Sequence, residues 1–210
     1  MKKLFSICIF TPLFLLADLA YADINNQLNP QSLIAAATQK IIKEIRTKST
    51  KPGDLTQIIS IVDRNMIQYA DFPRTTRLAM GSYWHEATPH QRQVIVNMFK
   101  GLLIRTYTSA ILQLKVDQQI KYLPFRFKDD DTDAVVRTVI NDKIPIQLNY
   151  RLYKTSQGWR VYDLNVLGIW LIQTYKQQFK EEIQKSGIDG LIRLLSKRCK
   201  ELANNSRQIS

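Results

Sequence analysis

Three kinds of residue in this 210-residue chain could do chemistry by type and spacing: an isolated carboxylate, an acidic run and two histidines. Asp163 lies between Tyr162 and Leu164 in an apolar stretch. A carboxylate on a sheet face could act as a general base in a pocket. It could equally be a structural group met by a backbone N–H or an arginine, and the structural role is the simpler expectation. Asp129, Asp131 and Asp133 have the spacing of the first ligands of an EF-hand loop. That loop also needs glycine at its sixth position and glutamate at its twelfth, where this chain has Ala134 and Ile140. A solvated hairpin loop is expected instead. His85 and His90 straddle the Thr88-Pro89 helix start, so they do not share a helical face as a metal pair would. Cys199 is left without a partner for an intrachain disulfide if the segment carrying Cys8 is removed. No glycine-rich phosphate loop, nucleophile elbow or thiol–histidine pairing is present, and neither a metal nor a cofactor is expected.

The element that must position Asp163 runs from Gly158 to Phe179. Its first half reads as a strand, Trp159 to Val166, with Tyr162, Leu164 and Val166 set against Arg160, Asp163 and Asn165. Trp159 and Val161 add apolar bulk to the second face. After Gly168 the period becomes helical, with Ile172, Tyr175, Phe179 and Ile183 on one stripe and Gln173, Lys176, Gln177 and Lys180 on the other.

The rest of the chain supplies partners for this stretch. Asn29-Pro30 offers an N-cap and a proline at the first helical position, followed by Ile34, Ala37, Ile41 and Ile45 at helical spacing. Lys51-Pro52-Gly53 breaks that helix. Asp54 caps a second, with Leu55, Ile58, Ile59, Val62, Met66 and Tyr69 on its stripe, which Asp71-Phe72-Pro73 is expected to end. A short helical piece carries Leu78, Gly81 and Trp84, with Gly81 read as a site of close backbone approach. Thr88-Pro89-His90-Gln91 reads as a capping box opening the longest helix, with Ile95, Met98, Phe99, Leu102, Leu103 and Ala110 along it. Strands are then predicted at Ile120 to Phe127, Ala134 to Asn141 and Ile146 to Lys154, with Thr155 to Gly158 as the hairpin into the fourth. The last helical region is expected to break at Ser186-Gly187, with Asp189 capping a final helix that carries Leu191, Leu194, Leu195 and Leu202. Helices, then a four-stranded antiparallel sheet, then closing helices make an α+β domain. Its apolar residues suit a hollow interior and an ordinary packed core equally well.

At the N-terminus, Met1-Lys2-Lys3, the apolar run Leu4 to Leu16 and Ala20-Tyr21-Ala22 have the three-part form of a secretory signal peptide cleaved after Ala22. Asp18 interrupts the run before it reaches membrane-spanning length. A single domain over residues 23–210 would remain. The chain carries a formal charge of +12 and stays strongly basic without Lys2, Lys3 and Asp18. In an exported protein such a charge suits anionic headgroups or acidic protein surfaces rather than nucleic acid.

Several stretches together resemble the MlaC, or toluene tolerance, family. They are Val62-Asp63 with Tyr69-Ala70-Asp71-Phe72, Leu78 to Gly81, Trp84, Ala87-Thr88-Pro89-x-Gln91 and Arg105-Thr106-Tyr107 in the first half. In the second they are Trp159-x-Val161-Tyr162-Asp163-x-Asn165-Val166-x-Gly168-Ile169 and Gly187-Ile188-Asp189-Gly190-Leu191. The chain departs from the family pattern at Leu167, where an acidic residue is usual, and at Trp170, where serine is usual. The resemblance implies a periplasmic phospholipid shuttle that maintains outer-membrane lipid asymmetry and does no chemistry. The implied fold is NTF2-like, a curved sheet on a helical layer with an internal apolar lipid pocket and the headgroup outside. The implied partners are phospholipid, an outer-membrane lipoprotein with a porin, and an inner-membrane ABC transporter complex with a lipid-transfer ring. On this reading the helical layer would contribute Tyr69, Leu78, Trp84, Phe99, Leu102 and Leu103 to the pocket. The sheet would contribute Leu148, Tyr150, Tyr162 and Leu164 from one face, with Ile169 and Ile172 at the mouth. An enzyme using Asp163, or a periplasmic adaptor with a solid core, remain the alternatives.

Overall fold

The computed structural model describes residues 29–48, 55–66, 68–112, 119–128, 130–141 and 145–208. The expected signal segment, the Lys51-Pro52-Gly53 break with its Asp54 cap, and Asp129 lie outside them.

Helix α1 (Pro30–Lys48) starts as the Asn29-Pro30 pair requires, with Asn29 Oδ1 accepting the Ser32 N–H at 2.9 Å. Helix α2 (Leu55–Met66) buries Ile58, Ile61 and Val62. Asp71-Phe72-Pro73 does not end this helix but opens the next. In α3 (Phe72–Met80) Asp71 is the N-cap, accepting the Arg74 N–H at 2.8 Å, and Pro73 sits in the first turn, where no intrahelical donor is needed. Gly81 ends α3 with φ of 60°. A Cβ there would meet only Lys176 Cε, at 3.5 Å, so this glycine supplies a left-handed conformation and not a close approach. The short α4 (Tyr83–Glu86) leads into α5 (Pro89–Leu112) through the expected capping box. Thr88 N–H donates to Gln91 Oε1 at 3.0 Å, and Gln91 N–H to Thr88 Oγ1 at 3.2 Å.

The sheet has five strands where four were expected: β1 (Ile120–Tyr122), β2 (Asp133–Ile140), β3 (Ile146–Thr155), β4 (Gly158–Val166) and β5 (Ile169–Trp170). They form an antiparallel meander in sequence order. The added strand comes from Leu167 and Gly168. Their positive φ values, 52° and 90°, fold the chain back so that Val166 faces Ile169 and Asn165 faces Trp170. The helix therefore begins at Leu171 and not directly after Gly168. β1 is shorter than expected because Pro124 has no N–H to continue the ladder after Leu123 N–H has bonded Arg137 O at 3.0 Å.

A bulge in β4 changes which side chains share a face. Arg151 pairs with Asp163 but Leu152 pairs with Val161, leaving Tyr162 as the extra residue. Tyr162 consequently points to the opposite face from Leu164 and Tyr150, and its ring centroid lies 5.8 Å from that of Tyr153. Trp159 and Val161 instead join the inner face.

The last element, α6 (Leu171–Gln208), is broken at Gly187, whose φ of 69° no helix contains. The break falls where the sequence predicts it. The Asp189 carboxylate accepts from Gln91 Nε2 at 2.8 Å, tying the second half of α6 to the start of α5. Gly190 is the true close-approach glycine, since a Cβ there would lie 2.2 Å from Ser186 Cβ.

Among the described residues most buried apolar side chains fall into three clusters and not one. A helical cluster joins α3, α5 and α6 around Phe99, Phe179, Leu191 and Leu195. A second joins Leu33 and Ile34 of α1 to Val136, Leu152 and Trp159 of the sheet. The third is Ile58, Val62 and Ile104.

Candidate functional site

Against the first two clusters packs a row of inner-face sheet residues, Leu164 and Val166 beside the helical cluster and Tyr150 beside that of α1 and the sheet. Cross-strand register sets Tyr150 against Leu164 and Leu148 against Val166, giving an apolar patch on β3 and β4. On one side stands the helical cluster, where the Phe99 ring meets Tyr175 at 4.7 Å and Phe179 at 4.9 Å, both edge-on. On the other, the Phe127 ring meets Trp159 at 5.6 Å beside Leu33 and Ile34. Leu148, Tyr150, Leu164 and Val166 themselves remain only half-buried. Tyr150 is nonetheless deeply set: burial pushes its phenol up to about 12, against a smaller opposing hydrogen bond with Thr138.

The residues expected from sequence divide by location. Phe99, Leu102 and Leu103 are buried in the helical cluster, and Trp84 and Leu164 pack against it. Trp84 is held under Arg92, whose guanidinium lies 5.3 Å from the ring and donates to Trp84 O at 2.8 Å. Tyr69 and Tyr150 pack against the cluster of α1 and the sheet. Leu78, Leu148 and Ile172 are half-buried. Two expectations do not survive as drawn. Tyr162 is on the other face because of the bulge, and Ile169 is 61% exposed on β5 instead of facing inward beside Leu171 and Ile172.

Asp163 is 3% exposed and fully engaged. Oδ1 accepts the N–H of Leu164 at 2.9 Å and of Ile172 at 3.1 Å, and Oδ2 faces Arg151 Nη1 at 3.2 Å. It thus fastens β4 to the first turn of α6, satisfying a helix N–H that has no intrahelical partner. Burial raises its pKa, opposed first by the Ile172 N–H and then by the Arg151 charge. This is the structural role expected for it. Arg151 also stacks over Trp170, 3.8 Å from the ring centroid, a contact the sequence did not suggest. Neither did it suggest the outer-face group around Arg74. That guanidinium lies 3.9 Å from the Tyr153 ring and 4.9 Å from Tyr162, while the Tyr153 hydroxyl donates to Asp71. Only the bulge brings Tyr162 there. Among the described residues no three His, Cys, Asp or Glu side chains converge to hold a metal ion.

An antiparallel meander whose inner face presents half-buried apolar side chains to a layer of helices, and whose one buried carboxylate among the described residues is committed to structure, has the architecture of a binding domain. Comparison with known proteins agrees. Residues 35–197 match the model of the MlaC protein family, and the chain belongs to that family. It is 25% identical over 199 residues to the intermembrane phospholipid transport system binding protein MlaC of Haemophilus influenzae, with 91% of each chain covered. It is 28% identical over 131 residues to the toluene tolerance protein ttg2D of Pseudomonas putida, covering 59% of this chain and 60% of that one. Among solved structures it resembles a phospholipid-binding protein of Ralstonia solanacearum in complex with a phospholipid. The TM-score is 0.78 at 41% identity, covering 84% of this chain and 99% of that chain.

Proposed function

We propose that this protein is a periplasmic phospholipid carrier that moves lipid between the outer and inner membranes and so helps maintain outer-membrane lipid asymmetry. The observation that carries the reading is the half-buried apolar row on the inner face, Leu148, Tyr150, Leu164 and Val166, in which Leu164 and Val166 pack against the helical cluster and Tyr150 against that of α1 and the sheet. Within this row Tyr150 keeps accessible surface while its apolar surroundings raise its phenol to about 12. Acyl chains would lie against this row, with the headgroup outside. Leu78, Trp84, Phe99, Leu102, Leu103 and Tyr69 would form the facing walls, and Ile172 the mouth. Family membership and the lipid-bound relative support the cargo class.

The energetics suit a shuttle. Burying roughly 30 methylenes of a diacyl lipid is worth on the order of 24 kcal/mol relative to water, at about 0.8 kcal/mol each. Relative to a bilayer the gain is near zero. A dry apolar pocket therefore solubilises the lipid without trapping it, and direction must come from partners, an outer-membrane lipoprotein with a porin at one end and an inner-membrane ABC transporter complex with its lipid-transfer ring at the other. Export would follow from signal cleavage after Ala22, leaving a single domain over residues 23–210. Organic extraction of mildly purified protein followed by mass spectrometry tests the reading. Stoichiometric phospholipid is expected, with much less in Leu148→Trp, whose added bulk occupies the same space. Protein repeatedly free of phospholipid would sink it.

A further inference from the structure

The described residues include three exposed large hydrophobics, and two of them share one hairpin tip: Leu167 at 62% and Ile169 at 61%. Leu167 is also the sole non-glycine residue with positive φ among the described residues. A β-branched or γ-branched side chain gains nothing in that conformation, which asparagine or glycine adopts more cheaply. Turn formation therefore does not account for a leucine here, and neither does the core, which it does not touch.

The stretch of chain that carries the tip has a consistent character. At its foot Trp170 is half-buried beneath the Arg151 guanidinium, pairing an aromatic ring with a cation where the apolar tip ends. From Leu164 to Lys180 the chain carries no acidic residue, while Lys176 and Lys180 are exposed. Asp163, the nearest carboxylate in sequence, is buried and paired. Two aliphatic side chains cannot supply the roughly 1,000 Å² that a specific protein interface needs. A bilayer makes no such demand: a small apolar wedge sinks about 5–10 Å into the interfacial layer, and nearby lysine and arginine are drawn to anionic headgroups.

We propose that the Leu167–Ile169 tip inserts into the surface of an anionic phospholipid bilayer, with Trp170 and Arg151 at headgroup level. The proposal rests on the carrier reading for its purpose, since brief membrane contact would serve a lipid shuttle, but its test is separate. The full chain is sedimented with vesicles of phosphatidylcholine containing phosphatidylglycerol, and with vesicles of phosphatidylcholine alone. The parent should pellet with the anionic vesicles and be released by salt. Leu167→Asn should bind roughly tenfold more weakly, as expected for loss of one buried leucine, while melting no lower than the parent and retaining its co-purified phospholipid. A parent that ignores anionic vesicles, or a Leu167→Asn protein that binds them as well as the parent, overturns the proposal. So does sedimentation velocity showing a dimer that Leu167→Asn dissolves in the absence of vesicle binding, which would assign the tip to a second copy. If extraction finds no phospholipid in the parent but Leu167-dependent vesicle binding persists, the carrier reading fails and the docking tip stands.

Discussion

The sheet has two tight hairpins next to each other in sequence, and they solve the same problem with opposite chemistry. At the β3–β4 reversal Thr155 faces Gly158 across Ser156 and Gln157. The tip is polar and exposed, the Thr155 hydroxyl accepts the Gln157 N–H at 3.1 Å and donates to Gly158 O at 2.7 Å, and the left-handed position, φ of 97°, falls on glycine. At the β4–β5 reversal the left-handed positions fall on Leu167 and Gly168, and the tip is apolar. Its support comes from buried and distant groups as well as from the turn itself. Asn165 Oδ1 accepts the Gly168 N–H at 3.1 Å, Gln147 O accepts the Leu167 N–H at 3.1 Å, and Asp163 holds the helix start behind it. The first hairpin spends its residues on the turn. The second tolerates strain at Leu167 on a foundation that keeps the tip fixed, which is what a surface contact requires and a mere reversal does not.

The largest test removes that foundation. Asp163→Ala strands two backbone N–H groups and the Arg151 charge, and should cost about 3 kcal/mol in denaturant unfolding; a loss no greater than that of an average surface change would mean the second hairpin is not held from beneath. Asp163→Asn should cost less, since the carboxamide oxygen can still accept while its NH2 group faces Arg151. The pH dependence has a definite sign. Burial raises the folded-state pKa of Asp163, so its favourable contribution is complete below the unfolded value near 3.8 and is lost as pH rises through the folded value. The stability difference between parent and Asp163→Asn should therefore be greater near pH 4 than near pH 7, and an opposite slope would show that Arg151 dominates the site.

Next in size come the glycines. Gly158→Ala and Gly168→Ala each place a Cβ at positive φ and should each lose about 1–2 kcal/mol, measured by thermal melting. Equal losses would confirm that the two turns make the same backbone demand; a loss at one alone would break the comparison. Leu167→Asn should instead gain about 0.5–1 kcal/mol, because asparagine tolerates the left-handed region, and no gain would mean the leucine is not strained. Smallest of all, Ile169→Glu should leave the unfolding free energy within about 0.5 kcal/mol of the parent, as an exposed position predicts. A severe drop in its melting temperature would return residue 169 to the interior.

Much of this architecture is local, and so was legible in the sequence. The Thr88–Gln91 box, the Asn29-Pro30 helix start and the break at Gly187 are each governed by residues within a turn of one another, and the alternation of Ile146, Leu148, Tyr150 and Leu152 marks an inner face directly. Asp163 was legible as a structural carboxylate because a charge amid apolar strand residues has to find partners; its partners, Arg151 across the ladder and Ile172 on the next helix, were found only in three dimensions. The face of Tyr162 was decided by a bulge, since one extra residue reverses a period of two and composition carries no sign of which residue is extra. The fifth strand likewise depended on a leucine accepting a conformation that its type disfavours. Whether the interior closes into one core or stays divided was beyond periodicity altogether. An apolar stripe records that a face avoids water, whereas the division of the buried side chains into one cluster around Phe99 and another around Trp159 depends on how the sheet and helices pack.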